Sequence, residues 1–431
     1  MPHTPADPSL IDSRYAALRL LTTLGLVTLG NSSMYVVSVV LPEVQREFGV
    51  SRADASLPYT LMMICLGIGG LWTGRMADRH GITRVLTIGA FAVMGGFVWA
   101  SQSGSILSFS LAHGLLLGLL GSSATFAPLM ADTALWWNKR RGIAVAICAS
   151  GNYIAGTLWP PLAQRGIEIM GWRQTYLLIG VVCSVGMLLL SLRMRQRPPL
   201  VIMAVTPASP VNPISAANAG AANNAGSGQA PAAGQAFGMG LGQAQILLCM
   251  AGVACCVAMS MPQVHIVAYC TDLGFGAARG AEMLSLMLAC GIVSRLVSGW
   301  VCDHIGGIRT LLLGSALQGI ALLLFLPFDG LVPLYVISAL FGLFQGGIVP
   351  SYAIIVREYF PPQEAGARVG AVIMATLFGM ALGGWMSGWV FDLTGSYHAA
   401  FLNGIAWNLL NLTIAGFLFL RVKKLAALKA A

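Results

Sequence analysis

The sequence predicts an all-α membrane protein with twelve transmembrane helices in two six-helix halves, and three observations support this fold class. Hydrophobic residues make up 57% of the 431 residues and charged residues only 9%, whereas soluble domains carry about 25% charged residues. Apolar stretches long enough to cross a bilayer, about 20 residues each, recur along the chain. One charged loop motif occurs twice, once in each half of the chain. Each span should be helical because lipid cannot satisfy backbone polar groups.

The predicted spans end where polar or basic residues interrupt the apolar runs. They cover residues 17–41, 56–77, 83–101, 105–130, 141–163, 174–194, 243–268, 281–301, 308–327, 331–356, 366–390 and 399–421. Residues 198–242 are rich in Ala, Gly, Pro, Asn and Ser and carry no charge, so we expect a flexible linker. The chain is therefore predicted to consist of an N-terminal half (1–197), this linker, and a C-terminal half (243–431).

The net charge of +9 comes from bases near the ends of the predicted spans. Most of the 24 lysines and arginines fall in the loops and tails on the side of both termini. The bases counted on the other side are Arg46, Arg52, Arg165, Arg173 and Arg279. Because cytoplasmic loops carry the excess of Lys and Arg, both termini are predicted to be cytoplasmic, in a plasma (bacterial inner) membrane. No basic stripe exists outside the loops, so nucleic-acid binding is not expected.

The sequence offers no candidate for a metal, cofactor or catalytic site. Most of the nine cysteines lie inside apolar segments and none has metal-ligand spacing. The motifs G-x-x-x-x-G-K-[ST], H-E-x-x-H and G-x-S-x-G do not occur. We therefore expect neither a cofactor nor enzymatic activity. Without a P-loop, the sequence also gives no sign that the protein uses ATP.

The duplicated motif joins the second and third spans of each half. The first copy, GRMADRHGITR, runs from Gly74 to Arg84, and the second, GWVCDHIGGIR, runs from Gly299 to Arg309. Gly, Asp, Gly and Arg recur at the same spacing in both copies. Matched six-helix halves are typical of transporters that bind a substrate near the midplane between the halves and rock around it.

These two copies resemble the signature loop of the major facilitator superfamily, and the resemblance implies the major facilitator fold. A second block, from Lys139 to Arg173, is similar to span five of the monocarboxylate transporter and oxalate/formate antiporter group, and Gly384 to Tyr397 resembles span eleven of that group. The resemblance implies secondary active transport of a small organic anion, a monocarboxylate, by a monomer, with a proton or counter-anion as the coupled species. Export of a drug-like or other metabolite is the alternative, and a membrane sensor is a remote one.

The signature loops contain the predicted gating residues. The Asp78 carboxylate can accept hydrogen bonds from a neighbouring helix N-terminus or an arginine and release them when the halves separate. Asp303 and Arg309 should mirror this in the second half, where His304 replaces the expected Arg. Turn formation and topology are the alternative roles. The predicted gating residues are Asp78, Arg79, Arg84, Arg141, Asp303, Arg309, Glu358 and Arg368. Arg140 and Arg141 of the first half could pair with Glu358 and Arg368 of the second when the cytoplasmic side closes.

Arg295 is the principal candidate for substrate binding because it lies inside span eight, about 12 Å along the helix from Asp303. A buried arginine normally faces a pathway or a partner, and its planar fork suits a carboxylate. In the group that the chain resembles, an arginine in span eight is implied to hold the substrate carboxylate. A lone buried cation favours a substrate with one carboxylate. A structural arginine, paired with a backbone carbonyl or an acid, is the alternative.

Two departures from that group affect the coupling ion. Relatives of the animal proton-linked transporters carry an acidic residue one turn before this arginine, where this chain has Gly291, and the span-eleven cation of oxalate exchangers is missing. His265, toward the outer end of span seven, and His113, in span four, are the candidate proton-coupling residues, with structural roles as the alternative. Polar residues in spans one, five and ten are candidates for bonding the substrate or a neighbouring helix: Asn31, Tyr35, Asn152, Tyr153, Gln345 and Tyr352.

Overall fold

The computed structural model describes residues 8–196, 235–361 and 364–430. Within those ranges, twelve helices are long and apolar enough to cross a membrane. They are α1 (Arg14–Phe48), α2 (Arg52–His80), α3 (Ile82–Ser101), α4 (Ile106–Leu135), α5 (Arg141–Met170), α6 (Trp172–Ser191), α7 (Leu241–Asp272), α8 (Ala277–Ile305), α9 (Gly307–Leu324), α10 (Leu331–Tyr359), α11 (Ala365–Thr394) and α12 (Tyr397–Ala430). The prediction of an all-α membrane protein with twelve spans is confirmed. Many of the helices extend beyond the predicted spans because polar end turns continue the helical backbone outside the apolar run.

Three of the twelve helices are interrupted. Asn31 separates the two segments of α1. In α4 a π-helical segment, Ala112–Ser122, precedes a second break at Phe126. Helix α10 is broken between Gln345 and Ile348. Such irregular turns often occur at functional sites, and two of these breaks lie at the substrate-binding candidates Asn31 and Gln345.

The two halves meet where α2 packs on α11, α5 on α8 and α1 on α7. Glycines bring these helices close together. Gly384 of α11 packs against the ring of Tyr59 in α2, and Gly156 of α5 lies against Tyr35 and against Leu288 of α8. Small residues allow helix backbones to approach in the membrane, where the hydrophobic effect does not drive helices together.

The two ends of this seam differ. At the end away from the signature loops, Gly388 of α11 lies directly against the backbone of Arg52 in α2. Toward the signature loops, a Cβ placed on Gly70 or Gly74 of α2, or on Gly370 of α11, would meet nothing within 4 Å. Gly74 therefore does not hold two helices close together in this conformation. We call the signature-loop end the open end and the opposite end the closed end.

The predicted linker, 198–242, is ordered in its last part. Residues 198–234 lie outside the described ranges. The following residues form an antiparallel hairpin of β1 (Gln235–Ala236) and β2 (Met239–Gly240) that leads into α7. Phe237, in the turn, is buried and stacks on Tyr359 at the end of α10, with ring centroids 4.5 Å apart. The expectation of a flexible chain up to residue 242 was wrong for this part because Phe237 supplies apolar surface that docks on α10.

Candidate functional site

Arg295 lies on α8 at the seam with α5. Its Cζ is 4.7 Å from the centre of the Tyr153 ring, and its Nη1 donates a hydrogen bond to the carbonyl of Ala149 at 3.3 Å. Both partners belong to the other half of the protein. Gly291, one turn before Arg295, lies against the same Tyr153 ring. The space that an acidic side chain at this position would need is therefore filled by an aromatic ring.

The Arg295 guanidinium has no carboxylate partner in the described part of the chain. The ion pairs there, with N–O separations up to 4.0 Å, do not include Arg295. Its Nε is buried without a hydrogen-bond acceptor. The one carbonyl bond occupies one of five N–H donors. The Arg295 side chain as a whole is half-buried. Since a charge that is partly removed from water without a partner is costly, this arrangement favours binding of an anion.

Three of the predicted substrate-binding residues lie near Arg295 on helices of the N-terminal half. Tyr35 of α1 lies close enough to Asn152, Tyr153 and Arg295 to interact with all three electrostatically. The buried Oδ1 of Asn152 lacks a hydrogen-bond partner among the described residues. Phenol and amide groups beside a guanidinium can donate hydrogen bonds to the same carboxylate. The structure thus brings together Tyr35, Asn152, Tyr153 and Arg295.

The C-terminal half adds Gln345, at the break in α10. Its Oε1 accepts a hydrogen bond from Gln263 of α7 at 3.0 Å, whereas its buried Nε2 has no partner in the described ranges. The next residue, Gly346, packs against Ser294, whose buried Oγ is also unpartnered there. Ser294 directly precedes Arg295, so the break in α10 lies against the helical turn of α8 that carries Arg295. The sequence analysis missed Gln263 and Ser294, which are common polar residues with no charge to distinguish them.

Asn31 and Tyr352 form bonds elsewhere. The Asn31 amide donates to the carbonyl of Val27 at 2.9 Å, within α1. The hydroxyl of Tyr352 donates to Oδ1 of Asn411 in α12 at 2.8 Å. Both side chains are buried. In this conformation they bond a helix to itself and one helix to another, which is the alternative role weighed for them.

His113 is buried inside the N-terminal half. Its Nδ1 lies 2.9 Å from the carbonyl of Phe109, and its Nε2 lies 3.3 Å from the hydroxyl of Tyr176 in α6. Its ring also packs against both aromatic rings. These contacts are internal to one half, so they do not link His113 to the seam.

The signature-loop residues are solvent-exposed at the open end. This group comprises Asp78, Arg79, Arg84, Asp303 and Arg309. None of the ion pairs between described residues joins the two halves at this end. A gate that operates when this end closes would be released in such a conformation, and its role stays a prediction.

The other gating candidates have partners within the C-terminal half. Glu358 accepts hydrogen bonds from the backbone N–H of Gly307 at 3.0 and 3.2 Å, so it caps the start of α9. Arg368 pairs with Glu364 on its own helix and bonds the Gln245 side chain at 3.5 Å. The side chain of Arg141 lies outside the described part of the structure. Pairing across the halves would require these contacts to be exchanged.

The closed end carries an inter-half network that the sequence analysis missed, because it counted Arg52 as a loop base. The buried side chain of Arg52 pairs with Asp272 of α7 at 3.2 Å and donates to the hydroxyl of Tyr397 in α12 at 2.6 Å. The backbone N–H groups of Arg52 and Ala53 donate to the carboxylate of Asp392 in α11 at 2.8 and 2.7 Å. One helix start in the N-terminal half is thus bonded to three helices of the other half. We call Arg52, Asp272, Asp392 and Tyr397 the closing network.

His265 extends this network into the C-terminal half. Its Nδ1 lies 3.3 Å from the hydroxyl of Tyr397, and its Nε2 lies 2.8 Å from the carbonyl of Gly384 in α11. The ring is fully buried. One sequence signal could have pointed here: Asp272 and Asp392 each end a span on the side where Arg52 is one of few bases.

Arg19 and Asp132 form a second unpredicted ion pair, with side chains 3% and 7% exposed and a distance of 3.0 Å. The Arg19 guanidinium also lies 4.5 Å from the centre of the Trp136 ring. The sequence analysis counted Arg19 with the loop bases and treated Arg295 as the lone buried cation, which was wrong. Unlike Arg19 and Arg52, however, Arg295 has no carboxylate beside it in the described ranges.

Comparison with known proteins agrees with this architecture. The family model described as Major Facilitator Superfamily matches residues 21–333 and 246–431. Monocarboxylate transporter 13 of Rattus norvegicus is 27% identical over 328 residues, which cover 74% of this chain and 68% of that protein. Monocarboxylate transporter 11 of Homo sapiens is 27% identical over 394 residues, covering 85% and 75%.

Solved structures share the fold. A mutant of the nucleoside transporter NupG superposes with a TM-score of 0.72 at 13% identity, covering 94% of this chain and 99% of that one. A bacterial homolog of the human lysosomal transporter Spinster, in an inward-facing and unoccupied conformation, gives 0.69 at 13% identity, covering 95% and 98%. At this identity the likeness concerns the fold alone.

Proposed function

The chain belongs to the Major Facilitator Superfamily, and on that premise we propose that it is a secondary active transporter of a small organic anion with one carboxylate. The observation that carries the proposal is the guanidinium of Arg295, placed at the seam between the halves without a carboxylate partner in the described residues. The relatives named as monocarboxylate transporters support the same substrate class.

In the proposed complex, the substrate carboxylate lies in the fork of Arg295, a geometry that guanidinium groups favour. Tyr35 and Asn152 donate further hydrogen bonds from the N-terminal half. The free amide of Gln345 and the hydroxyl of Ser294 bond the rest of the molecule from the C-terminal half. A substrate held in this way contacts both halves, so it can favour their movement around it.

Alternating access then exchanges the two ends. In the proposed topology the protein lies in the plasma (bacterial inner) membrane, and the end with the excess of Lys and Arg faces the cytoplasm. That end is the open end, so the conformation described above corresponds to the inward-facing state of the proposed cycle. Opening to the other side requires the closing network to break and the signature-loop end to close, where Asp78 would find its partners. A proton or a counter-anion moving with the substrate supplies the energy.

The test is counterflow of labelled monocarboxylates and dicarboxylates in proteoliposomes, with and without a pH step. Arg295→Gln should reduce anion counterflow by at least about tenfold, because a hydrogen bond to a charged group contributes about 1.5–3 kcal/mol. Arg295→Lys keeps the charge but loses the fork and should retain part of the activity. Arg165→Gln, at a side chain 76% exposed, is the matched control and should transport normally. Absence of uptake for every anion, or full uptake by Arg295→Gln, would refute the proposal.

The second candidate function is export of a drug-like or other metabolite. Another relative, 23% identical over 347 residues, is named only as an MFS-type transporter, opdF of Penicillium oxalicum, with no carboxylate substrate in its name. Arg295 separates the two functions. Transport of a neutral or cationic compound that Arg295→Gln leaves unchanged would favour export.

A further inference from the structure

The hydrogen bonds around His265 have a fixed direction. The Gly384 carbonyl can only accept, so Nε2 of His265 carries a hydrogen and donates to it at 2.8 Å. In a neutral imidazole the other nitrogen is then an acceptor, and it receives the hydroxyl hydrogen of Tyr397 at 3.3 Å. The Tyr397 oxygen in turn accepts from Nη1 of Arg52 at 2.6 Å. The chain of donors thus runs from Arg52 through Tyr397 and His265 to Gly384.

This relay connects the two halves, because Arg52 belongs to α2 and the other members belong to α12, α7 and α11. Two carboxylates anchor the Arg52 end of the relay. Asp272 pairs with Arg52, and Asp392 holds the first N–H groups of α2. The charged side chains that act on His265 electrostatically within the described residues are Arg52 and Asp392.

Two tyrosine side chains, one of them in the relay itself, lie close to His265. Tyr397 bonds His265 directly, and Tyr269, one helical turn along α7, packs its ring edge-on against Tyr397. Neither phenol carries a charge near neutral pH, since a phenol in water has a pKa of about 10.

A protonated His265 does not fit this arrangement. Both ring nitrogens of an imidazolium donate, so Nδ1 and Arg52 would both donate to the single oxygen of Tyr397. The Tyr397 hydrogen would lose its acceptor, and two cations would lie on either side of one hydroxyl. A buried donor without a partner costs about 1–3 kcal/mol, and the repulsion of like charges adds to that cost. The closed arrangement therefore requires a neutral His265.

We propose that His265 is a proton-binding site that controls the closed end: binding of a proton there breaks the relay through Tyr397 to Arg52 and opens this end of the protein. The sign follows from linkage. Because the closed state holds the neutral ring, acidification favours the opened state, and closure is favoured as the pH rises. Such a switch acts on conformation and does not depend on the identity of the solute.

Among the described residues, no acidic side chain pairs with Arg295. A proton site at His265, away from Arg295, is consistent with that arrangement. Gly291 leaves the anion site without a carboxylate that could carry a proton. A proton that binds at the closed end instead acts on which side the anion site faces. Proton and anion would then be coupled through the movement of the halves rather than by direct contact.

Hydrogen–deuterium exchange of the full-length protein in lipid nanodiscs, without substrate, tests the proposal. Exchange of residues 52–60 and 265–272 is compared at about pH 8 and about pH 5.5, on either side of the pKa of about 6.5 of a hydrated imidazole. After correction for the intrinsic pH dependence of exchange, protection at the closed end should fall about tenfold at the lower pH. Residues 78–84 at the open end should become more protected, which distinguishes opening from unfolding.

Two variants and a matched control complete the test. His265→Gln cannot take up a proton and should remove the pH response. Tyr397→Phe keeps His265 but removes the hydroxyl between it and Arg52, so it should leave the closed end equally open at both pH values. His113→Gln alters a histidine that is similarly buried and bonded to a tyrosine but lies within one half, and it should respond as the wild type does.

Specific outcomes would overturn the inference. A wild-type protein with the same protection at both pH values has no such switch. A pH response that survives in His265→Gln assigns it to another group, and so does its loss in His113→Gln. A pH response that survives in Tyr397→Phe shows that it does not pass through the Tyr397 hydroxyl. Because no solute is present, these outcomes are independent of whether Arg295 binds an anion.

Discussion

The carboxylate of Asp392 caps a helix of the other half, and its replacement by Asn should shift the protein toward the state in which the closed end is open. Its two oxygens accept from the N–H groups of Arg52 and Ala53 at 2.8 and 2.7 Å. Those N–H groups belong to the first turn of α2, where no intrahelical acceptor exists. The negative charge also lies at the positive end of the α2 dipole.

The magnitude follows from the loss of one charge-assisted bond. Asn keeps one acceptor, but its NH2 group would face a backbone N–H, so one bond is lost and the charge is removed. A hydrogen bond to a charged group contributes about 1.5–3 kcal/mol. Asp392→Asn should therefore shift the equilibrium between closed and open forms of this end by roughly 10- to 150-fold toward the open form.

Deuterium exchange of residues 52–60 at fixed neutral pH measures this shift. The matched control is Asp54→Asn, since Asp54 lies on the same helical turn but bonds only Ser51 within its own half. The reasoning is refuted if Asp392→Asn exchanges as slowly as the wild type, or if Asp54→Asn produces the same loss of protection.

Three further perturbations test other parts of the structure. Asp132→Asn should lower the free energy of unfolding in detergent by about 3–5 kcal/mol, because it leaves the buried Arg19 unpaired. The double variant with Arg19→Met and Asp132→Leu should recover most of that loss. No recovery would show that the unpaired charge is not the cause of the loss. Gly388→Ala puts a Cβ 2.8 Å from a backbone oxygen of α2 and should raise exchange at the closed end, while Gly74→Ala, with nothing within 4 Å, should not; equal effects argue against the assigned ends. Phe237→Ala should weaken the docking of the hairpin on α10 by about 3 kcal/mol, so that the backbone amides of residues 235–240 exchange rapidly. Unchanged protection of these amides would show that the ring does not anchor the hairpin.

Much of the fold could be predicted from local sequence. A transmembrane helix can be predicted from its own residues, because it satisfies its backbone hydrogen bonds internally and does not depend on a neighbouring segment. The duplicated loops identified the two halves in the same way. The span ends were less accurate, as at Arg52, because polar residues in the first turn of a helix interrupt the apolar run without ending the helix.

The candidate site could be predicted in part. Arg295 was identified because a charge inside an apolar run is costly wherever its side chain points. Tyr35, Asn152 and Tyr153 were candidates because they are polar residues inside spans one and five, but their positions beside Arg295 were not part of that prediction. Gln263, Ser294 and the separate placements of Asn31, Tyr352 and His113 could not be predicted, since a hydroxyl, amide or imidazole in a helix can bond its own helix, a neighbour or a substrate.

By itself, the amino-acid sequence determined that the chain forms twelve membrane-crossing helices in two related halves, with an arginine inside the eighth, because hydropathy and charge act locally along the chain. Only the tertiary structure decided which buried charges are neutralised. Arg19 finds Asp132 at a separation of 113 residues and Arg52 finds Asp272 at 220, whereas Arg295 finds no carboxylate in the described ranges. Such pairing depends on which helix faces meet at the seam, and a one-dimensional pattern of apolar residues does not specify how twelve helices rotate against one another.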